Sequence, residues 1–212
     1  MKRISREEFL LGYPPEQVFI TSDLHLYHTN IIKYCNRPFE YSPKGCAEMN
    51  EFILQKFDLL PEDCLVWIFG DVFLSWHLED AAIMDDIKRM KKNRGMNLIL
   101  GNHDFKMRKK SFPSCVEYFE HLGFDKVFTG PLLFENFVLS HVPAFLDVKQ
   151  PLVNLHGHTH EKMVGEDYFL GEYNKSSPKR KVNPAQYKNM CMDANDFQIL
   201  RLADFLYLYN GE

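Results

Sequence analysis

Five short apolar runs in this chain each end in residues that bind metal ions, and that repetition constrains the fold more than any other feature. Val18–Ser22 runs into Asp23-Leu24-His25, Leu65–Phe69 into Gly70-Asp71, and Asn97–Leu100 into Gly101-Asn102-His103-Asp104. Phe137–Ser140 is followed by His141, and Leu152–His156 by Gly157-His158-Thr159-His160. Short runs rich in Val, Ile, Leu and Phe read as buried strands. In open α/β sheets ligands bind beyond the carboxyl ends of strands, so these ends are predicted to converge on one site. A sixth apolar run, Phe197–Leu202, is read as a further strand without such a cluster.

Helical patterns alternate with the strands. Ala47–Phe57 puts Met49, Phe52, Ile53 and Phe57 on one face, and Leu78–Lys92 puts Ile83, Ile87 and Met90 on another. Ser5-Arg6-Glu7-Glu8 reads as a capping box opening a short N-terminal helix, and Cys115–Leu122 as a helix closed by Gly123. The alternation predicts an α/β or mixed architecture. The 212 residues fit one domain over 1–212, and the 18 phenylalanines exclude disorder as the main state. Residues Glu161–Asn189 have few strand features and are predicted to form a long loop or lid. The basic run Lys175–Lys181 within it reads as a solvated surface or, alternatively, a contact for an anionic substrate.

Charge and apolar run lengths narrow the partners. The net charge of −4 and a pI of about 6.1 argue against stable nucleic-acid binding, though not against a nucleotide in a pocket. No apolar run reaches the roughly 18 residues needed to span a bilayer, so no membrane partner is expected. The N-terminal residues lack the apolar stretch and cleavage site of a signal peptide, which predicts a cytoplasmic protein. The five cysteines are widely spaced with no C-x-x-C, and are read as free thiols rather than nucleophiles or zinc ligands.

The ligand chemistry has its own logic. In an extended segment residues i and i+2 point the same way, so Asp23 with His25, and His158 with His160, are each expected to reach one locus. Imidazoles, carboxylates and one amide oxygen, without thiolate, suit Mn, Fe, Zn, Co or Ni. Six or seven candidates exceed one tetrahedral ion's needs, whereas two ions sharing a carboxylate would use them all. His77 and His121 read as ordinary helix-edge residues, and His156 as structural or as support for a ligand.

In this order, Asp23-Leu24-His25, Gly70-Asp71, Gly101-Asn102-His103-Asp104, Ser140-His141 and Gly157-His158-Thr159-His160 resemble the calcineurin-like metallophosphoesterase superfamily. The run from Ser22 to Ile32, followed by Cys35-Asn36-Arg37-Pro38-Phe39, is similar to a subgroup of small bacterial and phage phosphoesterases. The resemblance implies two facing mixed β-sheets flanked by helices. It implies two divalent ions, one held by Asp23, His25 and His160 and the other by Asn102, His141 and His158, with Asp71 bridging. A hydroxide shared by such ions would attack phosphorus. His103 would donate a proton to the leaving oxygen or clamp the phosphate. Asp104 would either orient His103 or cap its loop.

An absence bears on the substrate. Phosphoprotein phosphatases of this superfamily carry an Asp-Arg pair shortly after the bridging Asp, whereas Val72-Phe73-Leu74-Ser75-Trp76 contains no Arg. A monoester dianion wants that added cation more than a diester does, so a phosphodiester, nucleotide-like substrate is expected. Arg37 is either a substitute cation or a surface Arg paired within its turn. His28 and Asn30 are read as pocket-rim residues or helix caps. The alternatives are a phosphomonoesterase, a nuclease, and a non-catalytic metal-binding scaffold. The complete ligand set with His103 disfavours the scaffold.

Overall fold

The computed structural model describes residues 1–74, 80–165 and 182–210. Two five-stranded sheets form among these residues. The first has the order β10-β2-β3-β4-β5, from β2 (Val18–Thr21), β3 (Leu65–Ile68), β4 (Gly95–Ile99), β5 (Lys126–Phe128) and the antiparallel edge strand β10 (Leu200–Arg201). The second has the order β1-β6-β7-β8-β9, from β1 (Lys2–Arg3), β6 (Leu132–Phe134), β7 (Phe137–Ser140), β8 (Val153–His156) and β9 (Tyr187–Asn189). Only β6 and β7 pair antiparallel there.

The sheets face each other. Ile20, Trp67 and Ile99 of the first pack with Phe134, Leu139 and Leu155 of the second in one buried apolar cluster. The opposite face of the first sheet is covered by α3 (Pro43–Asp58), α4 (Asp80–Lys91) and α6 (Cys115–Leu122) through Ile53, Ile87 and Phe119. The side chains of β2, β3 and β4 are thus largely buried on both faces, which is why those strands are rich in apolar residues. The shorter α1 (Arg6–Leu10), α2 (Thr29–Tyr34) and α5 (Asp104–Met107) and the C-terminal α7 (Leu202–Asn210) complete the helices named here. None of the described helices is long and apolar enough to cross a membrane.

Several expectations need correction. The Phe197–Leu202 strand shrinks to Leu200–Arg201, because Phe197 turns left-handed (φ 58) and Leu202 already opens α7. Leu202 and Leu206 are buried one helical turn apart on α7. Helix α3 starts at Pro43, four residues before the Ala47 expected. Ser42 caps it by accepting the Gly45 N–H, and Pro43 fits the first turn, where an N–H is not needed. The last residues of the expected 161–189 excursion form β9 against β8. Residues 166–181, including the basic run, and His77 lie outside the described residues. The capping box of α1 and the Gly123 end of α6 are present.

What this fold positions is a row of strand ends. The parallel registers Thr21 with Ile68, Ile68 with Leu98, and Ser140 with His156 bring the carboxyl ends of each sheet level. An isolated parallel bridge between Ser22 and Cys191 ties the end of β2 to the chain leaving β9. The two sheets therefore meet at the edge where the ligand residues emerge.

Candidate metal centre

Beyond the strand ends the backbone leaves the β-region. Asp23 (φ 60), His25 (φ 51), Asp71 (φ 54), His158 (φ 70) and His160 (φ 50) are all left-handed. The extended geometry expected for Asp23-x-His25 and His158-x-His160 is thus wrong, although the side chains do converge. Left-handed residues every second position wind the chain while backbone bonds hold it: Asp23 N–H donates to Gly70 O and His25 N–H to Asp71 O, both at 3.0 Å. Crowding explains two of the glycines. A Cβ at Gly101 would overlap Asp71 Oδ1, and one at Gly157 would overlap Ser22 Oγ.

Two groups of potential ligand atoms result. Asp23, His25 and His160 form one, and Asp71, His141 and His158 the other, with the atoms of each within 4.8 Å of one another. Asn102 joins the second group, its Oδ1 lying 2.9 Å from His141 Nε2. Asp71 Oδ2 lies 3.6 Å from His25 Nε2 and 3.4 Å from His141 Nε2, so this carboxylate faces both groups. All seven residues expected from the strand ends are therefore at one locus.

The residues present fit divalent cations. Asp23 Oδ1 and His25 Nε2 are buried and lack hydrogen-bond partners, an expensive state unless a cation occupies them. The local field also favours positive charge. Burial works against a charged His141, yet Asp23 and the bond to Asp71 hold it up at about 9. His160 is held up at about 10 against burial, mainly by Asp193. Asp71 lies below its usual range because His141 overcomes burial. A metal ion would have to displace these protons, so its affinity for the site is expected to rise with pH.

His103 is the N-cap residue of α5, with a helical backbone (φ −77, ψ −35). Its N–H donates to Asp71 Oδ1 at 2.8 Å, and its Nε2 stands 4.0 Å from Asp71 Oδ2. Burial pushes its imidazole below the ordinary value. Asp104 turns away from it and caps the loops instead, accepting N–H bonds from Asp71, Val72 and Gly101 at 2.7–3.0 Å. His28 Nδ1 lies 3.3 Å from His25 Nδ1, and burial drives His28 down to about 4. Asn30 Oδ1 accepts from Tyr41 Oη on the exposed surface. His156 is buried against Gly157 O, away from both ligand groups.

Arg37 is neither a pocket cation nor a surface residue. It is 4% exposed and all five of its N–H groups are engaged. They meet the Asp193 carboxylate, Asp23 O, Leu24 O and Met49 Sδ. Arg37→Ala should therefore cost about 3–5 kcal/mol of stability, the usual consequence of breaking a buried pair. The urea midpoint checks this; an unchanged midpoint with a raised KM would return Arg37 to the substrate.

Asp193 was not found from sequence. Its Oδ2 accepts from His160 Nδ1 at 2.8 Å while Arg37 holds the same carboxylate. Such a carboxylate fixes a ligand histidine's tautomer and ring plane. It sits on a short 3₁₀ turn after β9, where no apolar run announces a strand end. Asn189 donates to His160 O and Thr159 Oγ1, pinning the loop that carries His160. Two cysteines read as ordinary also border the site. Cys191 donates to Asp23 Oδ2 at 3.1 Å, and Cys35 groups with His160 and Asp193. Their spacing carried no signal.

Beside these groups opens a cavity of about 610 Å³, whose wall includes His25, His28, His103, His158 and His160. Two facing sheets with clustered histidines and aspartates at their joined strand ends define a metal-binding α/β protein. The chain belongs to the calcineurin-like phosphoesterase family, whose profile matches residues 17–183. It is 28% identical over 184 residues to the uncharacterized protein MJ1445 of Methanocaldococcus jannaschii, covering 84% of this chain and 88% of the relative. The crystal structure of AQ665 from Aquifex aeolicus, a protein of unknown function, superposes with a TM-score of 0.58. That match has 19% identity and covers 90% of this chain and 98% of the other. Nuclease MPE of Pseudomonas putida matches with a TM-score of 0.43 and 22% identity, over 69% of this chain and 63% of its own.

Proposed function

We propose that the protein is a phosphodiesterase that works with two divalent ions of the Mn, Fe, Zn, Co or Ni type. The observation that carries this reading is Asp71, one carboxylate facing both ligand groups. Asp23, His25 and His160 would hold one ion, Asn102, His141 and His158 the other, and Asp71 would serve both. Such ions neutralise phosphoryl charge and acidify bound water.

The chain's own groups then have defined tasks. Were His25 to hold an ion through Nε2, its Nδ1 would carry the proton and donate to His28 Nδ1, 3.3 Å away. That would fix His28 as the Nε2–H tautomer, a neutral donor for a phosphate oxygen. His103, in its imidazolium form, would deliver its Nε2 proton to the leaving oxygen and return to the neutral imidazole. Asp193 holds His160, and Asp104 holds the Asp71 turn. The scaffold alternative fits less well, since every one of these groups is present in one place.

A diester suits the walls. Among the described lining residues Lys162 is the sole Lys or Arg, and Arg37 is fully engaged elsewhere. The test titrates Mn²⁺ into metal-free protein while following bis-p-nitrophenyl phosphate and p-nitrophenyl phosphate. Diester turnover should level off near two equivalents, with the larger kcat/KM on the diester. Full activity at one equivalent would rule out the paired-ion mechanism. A monoester advantage of about tenfold, some 1.4 kcal/mol in the barrier, would overturn the diester preference.

A further inference from the structure

Resting on the phosphodiesterase reading, we propose that the cavity mouth carries a stacking subsite for the planar base of a nucleoside joined to the reacting phosphate. Its parts are Tyr34 and Ile31 on α2 and Met163 in the loop after His160, all lining the same cavity as the metal-facing histidines. Ile31 and Tyr34 lie three residues apart and so share a helix face. Ile31 is 3% exposed and supports the wall, whereas Tyr34 and Met163 are each 68% exposed. What sets this tyrosine and methionine apart from the other exposed apolar side chains is their place on the rim of the cavity, where a flat ligand can cover both.

Position supports the same ligand. The Tyr34 ring stands nearly perpendicular to the His28 ring, 6.2 Å between centroids, and His28 is 5.3 Å from His25 in turn. These two ring contacts link the wall beside His25 to Tyr34, a span that a nucleoside monophosphate can bridge. Glu161 and Lys162 on the same wall offer an acceptor and donors to a ring edge. Both are exposed, so they can meet the polar edge of a base without losing their contact with water, whereas an acyl chain offers them nothing to bind.

The test uses the full chain loaded with Mn²⁺. Calorimetry compares thymidine 5′-monophosphate with 2-deoxyribose 5-phosphate, which share the phosphate and sugar. The nucleotide should bind about tenfold more tightly, at the lower end of what base–aromatic stacking contributes. Tyr34→Ala, an exposed change to the best helix former, should erase that difference and leave the sugar phosphate's affinity unchanged. Turnover of thymidine 5′-(p-nitrophenyl phosphate) and methyl p-nitrophenyl phosphate adds a second readout. A tenfold preference for the thymidine ester, lost in Tyr34→Ala, supports the subsite. Equal affinities in the wild type, or a preference that survives Tyr34→Ala, overturn it even where both esters are hydrolysed. A base preference in binding with neither ester hydrolysed keeps the subsite and removes the phosphodiesterase reading instead.

Discussion

Asp71→Asn should lose about 10³-fold or more in kcat/KM, the equivalent of several kcal/mol of charge stabilisation at a metal site. The reason lies in its two oxygens. Oδ1 accepts the His103 N–H, a bond that an asparagine oxygen can keep. Oδ2 faces His25 Nε2 and His141 Nε2, and an amide nitrogen placed there cannot bind a cation. In chelator the variant should melt close to the wild type, because the lost attraction between Asp71 and His141 is offset by relief at Asp104. Burial and the Asp71 charge together push Asp104 up to about 7, so removing that charge relieves a strained pair of acids. Elemental analysis and thermal melts in chelator check both halves. Two retained ions, or a large fall in the chelated melting temperature, would show that Asp71 has a structural duty instead.

His103→Ala should keep the ions and the fold yet lose about 10²–10⁴-fold in rate, the usual worth of a positioned general acid. The loss should be greatest for a dinucleoside monophosphate, whose alkoxide needs a proton. It should be smallest for bis-p-nitrophenyl phosphate, whose phenolate does not. The side chain is only partly buried and its Nδ1 has no partner, so truncation breaks no hydrogen bond made by the ring. Loss of an ion would place His103 among the ligands. Equal losses on both esters would favour a phosphate clamp over proton donation.

The convergence was readable because β2, β3, β4, β7 and β8 are mostly apolar and each ends within three residues of a candidate ligand. Length explains much of what was not. β5, β6 and β9 have three residues each, too few for an apolar run to stand out, and β9 includes Lys188 and Asn189. Helix α7 follows β10 without a break, so its first leucine was absorbed into a strand. The left-handed ligand backbone was not read from the sequence: aspartate and histidine are enriched at positive φ, but only a few per cent of non-glycine residues adopt it. Arg37 misled for a different reason. A charged residue in a turn normally faces water, and only the distant Asp193 shows why this one points inward.

The left-handed ligands have a consequence for how such a site persists. In L-residues this backbone costs roughly 1–2 kcal/mol each, and only glycine, and to a lesser degree asparagine or aspartate, adopts it readily. Asp23, His25, Asp71, His158 and His160 all carry that cost. Judged on the metal-free fold alone, glycine or asparagine would serve better than histidine at three of these positions. Selection for heat resistance in the absence of ions would thus favour inactive descendants, and a lineage released from its substrate would shed its ligands while its stability rose. On the proposed function these histidines serve the metal site rather than the metal-free fold, so screening for stability alone would select against the proposed activity.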